Sequence, residues 1–297
     1  MGRTALLQKK MMYLALLGVV SLLLLLAYNN ISLRAPAPDH IESSYQNAVK
    51  WLYENKVELH EKHNSMMWWM LLRAAQLKQD DRLLAYVREY QNKNYSRYDN
   101  SAWRYLVLGE QRYVDVDAVL GAGLPPYMVY FVYSYTCNDD LAAVDTVLAQ
   151  NNTNYCWENQ PLAPACLTHQ MMGLQFQKRI QCGEIEALDE KVGVIAEKIQ
   201  RQAFFDVRVV DVYLQRTLVL LQSGHGEKVR PRWIRRILSA QTQSGGWSGF
   251  HPLLPVGRSL SIGFTGNAIA IRPTVPDLHA TAQGILIMAL LSATAAD

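Results

Sequence analysis

The chain has 297 residues, of which 50% are hydrophobic and 19% charged, enough for one large domain or two small ones with a substantial core. That excludes a disordered chain and a miniprotein held by disulfides alone. Lys and Arg number 29 against 26 Asp and Glu, and no basic run lies outside the extreme N-terminus, so there is no electrostatic footprint for nucleic acid.

The first element is an apolar stretch over residues 11–28, MMYLALLGVVSLLLLLAY, which carries no charge. As a helix it reaches roughly 27 Å, just enough for a bilayer core. Arg3, Lys9 and Lys10 precede it, whereas Arg34 alone follows before Lys50, so residues 1–10 are expected in the cytoplasm and the remainder outside it. A cleaved signal peptide competes, with Ala35-Pro36-Ala37 as its small-residue site, but proline there is a poor cleavage context. The expectation is a single-pass signal anchor at 11–28, a Pro-rich linker at 29–40 and an extracytoplasmic domain at 41–297, periplasmic or lumenal. The membrane is thus the first expected partner.

Export changes how the cysteines read. Cys137, Cys156, Cys166 and Cys182 fall in one stretch and are even in number, as disulfides in an oxidising compartment would be. None forms a CxxC pair, which excludes a zinc ribbon and a thioredoxin-type motif. Three connectivities are open; Cys156 with Cys166 would close a short proline-containing loop and leave Cys137 to reach Cys182. Asn30, Asn94 and Asn151 sit in N-x-S/T sequons, which matter only in a eukaryotic host.

From residue 41 the chain reads as an all-α protein, with no convincing period-two alternation. Charged amphipathic segments at 41–61, 80–93, 114–121, 139–151, 184–202 and 230–241 alternate with apolar partners at 64–77, 100–108, 125–136, 167–177, 207–221 and 278–291. Outer helices covering inner ones predict an array of hairpins that closes into an α/α toroid; an open solenoid or irregular bundle is the alternative. Residues 241–276 break the pattern with a long Gly/Pro-rich loop carrying Trp247, His251 and Arg258, and such loops are commonly lids or binding loops. A buried packing anchor is the other reading of Trp247.

A toroid lines its cavity with residues near the starts of inner helices. By position, His169, Asp211, Asp277 and His279 are candidate acid/base groups, and His63, Gln170, Gln215, Trp247, His251 and Gln283 candidate ligand contacts. Asp211 with Gln215, and His279 with Gln283, lie four apart and share helix faces. Asp277 also fits a helix N-cap. Asp99, Asp206, Asp211 and Asp277 leave paired-carboxylate glycoside chemistry open. A nucleophile elbow, Walker loop, HExxH and dinucleotide fingerprint are missing, and no compact metal spacing occurs, so neither metal nor cofactor is expected.

The stretch QTQSGGW resembles the repeat ending of α/α toroids of the terpenoid-cyclase and prenyltransferase superfamily, but occurs once and without the acidic motif of those cyclases. CLTHQMMGLQF, VDVYLQRTLVLLQSG, RPRWIRRILSAQTQSGGWSG and LHATAQGILIMALL together resemble an uncharacterised family of exported proteins with a domain of unknown function, best known from vertebrate secreted members. That likeness implies export and fold, with no catalytic residue to carry over. The expected function is a membrane-anchored extracytoplasmic binding or scaffold module with a glycan, lipid or envelope protein as partner. The alternative is a toroid enzyme acting on a glycan or lipid-linked substrate.

Overall fold

The structure is a computed structural model that describes residues 2–31, 34–98, 101, 103–110, 114–160 and 163–293, with backbone alone over 2–9. Asp99 therefore lies outside the described residues. Most of the chain is helical. The membrane-type helix is α1 (Gly2–Asn30), followed by α2 (Pro38–Glu54), α3 (Lys56–Leu59), α4 (Ser65–Lys78), α5 (Asp81–Lys93), α6 (Arg104–Leu108), α7 (Val116–Gly121) and α8 (Pro126–Thr136). Next come α9 (Asp139–Ala142), α10 (Asp145–Asn151), α11 (Tyr155–Glu158), α12 (Cys166–Ile180), α13 (Ile185–Phe205), α14 (Asp211–Gln222) and α15 (Pro231–Ser239). Three strands, β1 (His251–Pro255), β2 (Ser261–Phe264) and β3 (Ile269–Arg272), precede the last helix, α16 (Leu278–Ala293).

Local chemistry sets these boundaries. Pro38, Pro126 and Pro231 each open a helix at a position that has no intrahelical partner for an N–H. The side chains of Asn64, Asp80, Asp115 and Asn138 accept backbone N–H groups in the first turns of α4, α5, α7 and α9. The apolar helices are the enclosed ones: α16 is buried continuously from Ala280 to Ala289 and packs on α2, α4 and α14. Further round the core, α4 contacts α6, and α8, α12 and α14 follow in contact. Trp69, Phe131 and Tyr135, from α4 and α8, meet edge-on around Phe176 of α12. α5 covers α4, α10 covers α8, and α13 covers α12 and α14, as the alternation of charged and apolar segments predicts.

The Gly-Gly-Trp turn joins α15 to α16. A Cβ on Gly245 would fall 2.3 Å from the Asn47 carbonyl oxygen of α2, and one on Gly246 would strike Pro276, Thr281 and Trp51. Trp247 is fully buried, donates from Nε1 to the Ile237 carbonyl at 2.8 Å, and packs where a Cβ on Gly284 would enter its ring. It pins α15 to α16 and covers no opening.

The loop expected over 241–276 instead contains an antiparallel meander in the order β1-β2-β3, with a bulge between Pro252 and Leu254. The domain is therefore not purely helical. Period-two alternation is present in AIAIR at 268–272, but one half-repeat on a turn is too short to stand out from helical neighbours. Within the stretch 29–40, α1 continues through Asn30 and α2 starts at Pro38. Asn29 is fully buried: Nδ2 donates to the carbonyls of Ala203, Phe204 and Asp206, each at 3.2 Å, and Oδ1 accepts from Tyr213 and Arg236. Asn30 donates to Phe204 O at 2.8 Å, so this sequon's amide is occupied in the joint between α1 and α13. Next to it, Asp206 takes Arg208 and Arg216 together, with Arg216 Nη1 at 2.6 Å. Burial alone would raise the Asp206 carboxyl, but the Arg208 hydrogen bonds and the Arg216 charge outweigh it and hold it below the ordinary carboxylate range.

Two disulfides, Cys137–Cys182 and Cys156–Cys166, each join residues with Cα atoms 5.5 Å apart. The first ties the end of α8 to the turn after α12, and the second lies inside its loop.

Two consequences are measurable by denaturation of the full chain in detergent. Removing the 45-residue Cys137–Cys182 link by double serine substitution should cost about 4 kcal/mol, and removing the 10-residue Cys156–Cys166 link about 3 kcal/mol. Because the loops are nested, the two losses should sum to less than additive. Asn29→Ala, which strands three buried carbonyls, should cost about 2 kcal/mol, whereas Asn55→Ala on the half-buried end of α2 should cost much less.

Candidate functional site

The inner helices leave a cavity of about 390 Å³ between the starts of α4, α8, α12 and α16. His63 and Asn64 lie at the start of α4, His169 and Met172 come from α12, Gln215 from α14, and His279 from α16. Asn64 caps α4 by accepting from Met66 N at 3.2 Å, which sets the side chains of the first turn toward the cavity. Tyr127 of α8 stacks on His169 with ring centroids 4.1 Å apart, and Phe131 meets the same imidazole edge-on at 5.7 Å. Among the described residues none of the three imidazoles, His63, His169 and His279, makes a hydrogen bond. Burial, and to a lesser degree the charge of His279, lower the pKa of His169 to about 4, so its ring is neutral across the physiological range and can accept a proton or a hydrogen bond at either tautomer's free nitrogen.

His279 also lines a second cavity, of about 450 Å³, together with Asp211, Asp277, Gly249, Asn267 and Arg272. Here the two aspartates differ. Both oxygens of Asp277 are occupied: Oδ1 accepts from Ala280 N as the N-cap of α16, and Oδ2 accepts from Gly249 N, each at 2.8 Å. Asp211 accepts no hydrogen bond among the described residues, and glycines at 249 and 266 let backbone pass close to it: a Cβ on Gly266 would sit 3.4 Å from its Oδ1. Asn267 and Arg272 come from the β2–β3 hairpin, so the segment read as a lid does reach a cavity, through residues other than those expected to do so.

The ten positions expected at the site are thus distributed as follows. His63, His169, Gln215 and His279 share the first cavity; Asp211, Asp277 and His279 share the second. Gln215 accepts from Thr168 Oγ1 at 2.7 Å, which orients its amide at the cavity wall. Gln170 faces away, donating to the carbonyls of Gln150 and Asn152 at 2.8 Å and holding the end of α10. His251 sits on β1, accepting from Val209 N at 3.3 Å, and borders neither cavity. Trp247 is core. Gln283, one turn after His279 on α16, is fully buried and neither of its amide atoms has a partner. An orphaned buried amide costs about 1–3 kcal/mol per unpaired group, and Gln283 lines neither cavity. Asp206 lies in the ion cluster beneath α1 and meets neither Asp211 nor Asp277 in a cavity.

Sequence reading missed Tyr127, Phe131 and Trp103, which wall the first cavity, and Arg272, which walls the second. The first three lie in runs of aromatic residues that are mostly core, and nothing in their spacing separates the ones that line a space from the ones that fill it. Among the described residues no group of three or more His, Cys, Asp and Glu side chains is placed to hold a metal ion. No family model, no curated protein and no solved structure matches the chain.

The His169 environment predicts a pH dependence. A histidine whose folded pKa lies below its unfolded value of about 6.5 contributes stability that is full above pH 6.5 and lost as pH falls toward 4, because the unfolded chain binds the proton first. The loss should approach about 3 kcal/mol at pH 4. Thermal unfolding of the full chain between pH 7 and pH 4 should show this slope, and His169→Gln should flatten it.

Proposed function

We propose that the chain is a membrane-anchored binding protein whose helical domain, an α/α toroid, faces the periplasm or lumen and takes a glycan or lipid-linked sugar into its central cavity. The anchoring is supported by α1, in which Lys10–Asn30 is long and apolar enough to cross a membrane, and by the basic residues ahead of it. The side of the membrane is supported by the two disulfides, which persist in oxidising compartments. Support for the toroid comes from α16, which packs on both α14 and α4, so that the last inner helix touches the first. Resemblance to exported proteins with a domain of unknown function, and to toroids with a Gln and Gly-Gly-Trp turn, agrees with the role of Gly245, Gly246 and Trp247 in seating that last helix.

The observation that carries the binding reading is the wall of the first cavity. Three imidazoles with no hydrogen-bond partner among the described residues stand near the flat rings of Trp103, Tyr127 and Phe131. A sugar ring has apolar C–H faces for such rings and hydroxyls at its edge for such nitrogens. The enzyme alternative, with His169, Asp211, Asp277 and His279 as acid/base groups, has less support: Asp277 already caps a helix with one oxygen and tethers a loop with the other. A scaffold that met an envelope protein with its outer helices would have no use for unpartnered polar groups around an internal space.

The test is native mass spectrometry of the full chain in detergent with a panel of oligosaccharides and a polyprenyl-phosphate-linked sugar. A member of the panel should bind, and His169→Ala/His279→Ala should weaken it by about tenfold or more, the value of one or two hydrogen bonds. No binding by any member removes the sugar reading. Product formation abolished by Asp211→Asn would replace binding by catalysis.

A further inference from the structure

The meander after the Gly-Gly-Trp turn has its apolar side outward. In its register Leu254 and Ile271 both stand opposite Ile262, and His251 and Ile269 both stand opposite Phe264, so five apolar residues share one face with a single half-buried imidazole at its edge. Leu254 is 63% exposed, Ile269 69% and Ile271 61%. The other face carries Ser261, Gly263, Ala270 and Arg272. An antiparallel sheet on a water-facing surface normally turns its polar side to solvent, and this one turns its apolar side.

Phe264 joins that face to an open groove of about 1100 Å³. Leu25 and Tyr28 of α1 form one bank of the groove, and Arg232, Arg235 and Arg236 of α15 form another. Leu25 belongs to the membrane-type segment itself, so the groove opens where α1 leaves its apolar stretch. The arginines are spaced along RPRWIRR rather than contiguous, and the helix gathers them on one side. Arg232 lies over the Tyr28 ring at 3.8 Å and donates to the Tyr28 carbonyl; Arg235 donates to the carbonyls of Arg34 and Ala35. Those acceptors carry no net charge. Ion pairs of arginines among the described residues belong to Arg104, Arg208 and Arg216, so the charges of Arg230, Arg232, Arg235 and Arg236 are not neutralised by a carboxylate.

We propose that the apolar face of the sheet lies in the interfacial layer of the bilayer and that the groove takes the phosphate of an anionic phospholipid on Arg232 and Arg235. This rests on the reading of α1 as a membrane-spanning anchor. The occupant follows from three features in continuity: an exposed apolar sheet, a wall contributed by the anchor, and uncompensated cations beside it. An apolar face flanked by arginines is the arrangement of a surface that lies on anionic lipid. At the value typical of a basic residue near an anionic leaflet, the two arginines give a preference for anionic over zwitterionic lipid of about thirtyfold.

The full chain reconstituted into phosphatidylcholine vesicles, with and without phosphatidylglycerol, tests this. All four native cysteines are disulfide-bonded, so a single introduced thiol can carry an environment-sensitive fluorophore. Ile271→Cys reports the sheet, Val57→Cys on the 84% exposed site of α3 reports solvent, and Leu17→Cys reports the middle of α1. The label at 271 should be quenched by spin label near the lipid headgroup at least about threefold more than the label at 57. Phosphatidylglycerol retained on purification should exceed phosphatidylcholine, Arg232→Gln/Arg235→Gln should abolish that preference, and Arg232→Lys/Arg235→Lys should keep most of it. If the label at 17 is reached by deep spin label while that at 271 behaves like that at 57, the sheet is not interfacial and the proposal fails with the anchor intact. If the label at 271 is shielded from both lipid and aqueous quenchers, a second copy covers the face and the proposal also fails. A label at 17 that deep spin label does not reach overturns the anchor, and this inference with it.

Discussion

A helix that is apolar on all sides has to be enclosed on all sides, and α16 imposes that condition on the rest of the domain. From Ala280 to Ala289 it has no solvent face. Each Å² of apolar surface it buries is worth about 25 cal/mol, and α2, α4 and α14 are the helices that supply its walls. Where α16 begins, Asp277 satisfies the first turn and holds the strand-bearing segment by Gly249. Two residues later His279 emerges between two cavities. The position of the candidate site thus follows from the capping of an enclosed helix.

The second constraint is electrostatic and lies beside the second cavity, whose lining residues Pro164 and Gly266 it holds. Asp206 is buried with two guanidinium groups, and such a cluster holds only when each charge has both a counter-ion and hydrogen bonds. Arg216 also reaches the Pro164 carbonyl and Gln202, while Arg208 reaches Gly266. The cluster therefore connects α13 and α14 to the loop before α12 and to the β2–β3 turn. Asn29 closes the same region from the side of α1, so α1 and the rest of the domain are joined through hydrogen bonds to buried carbonyls.

What could be read in the residues depended on range. Helices announced themselves through proline at their starts, Asp or Asn caps and alternating charge, all of which act within a few residues. The closing of α16 on α4 was anticipated only as a consequence of two apolar faces needing cover. AIAIR, by contrast, spans too few residues to outweigh the helical signals on either side, and its partner strands contain two prolines and a glycine that read as breakers. For Trp247, preceded by glycine, base rate favours a packing anchor over a lid, and what seats it is Gly284, 37 positions along the chain, whose missing side chain makes room for the indole. His169 and His279 fell on helix starts that face inward and were legible; Tyr127 was not, because its role is set by the imidazole it happens to stack upon.

The contact between α4 and α16 has a bearing on how the chain is made. These helices lie at opposite ends of the domain sequence, and α16 emerges from the ribosome last of the two. At synthesis rates of roughly 5–20 residues per second, α4 waits on the order of ten seconds or more for the helix that covers it. Until then its methionines and tryptophans, Met66 to Met70, stand without their final partner. In the same interval Cys137 is synthesised ahead of Cys182, with Cys156 and Cys166 between them, so sequential oxidation in order of appearance would pair the wrong thiols. The observed pairing requires that α8 and α12 dock before the bonds are fixed, so the order of oxidation is set by the packing of those two helices and not by the order of synthesis.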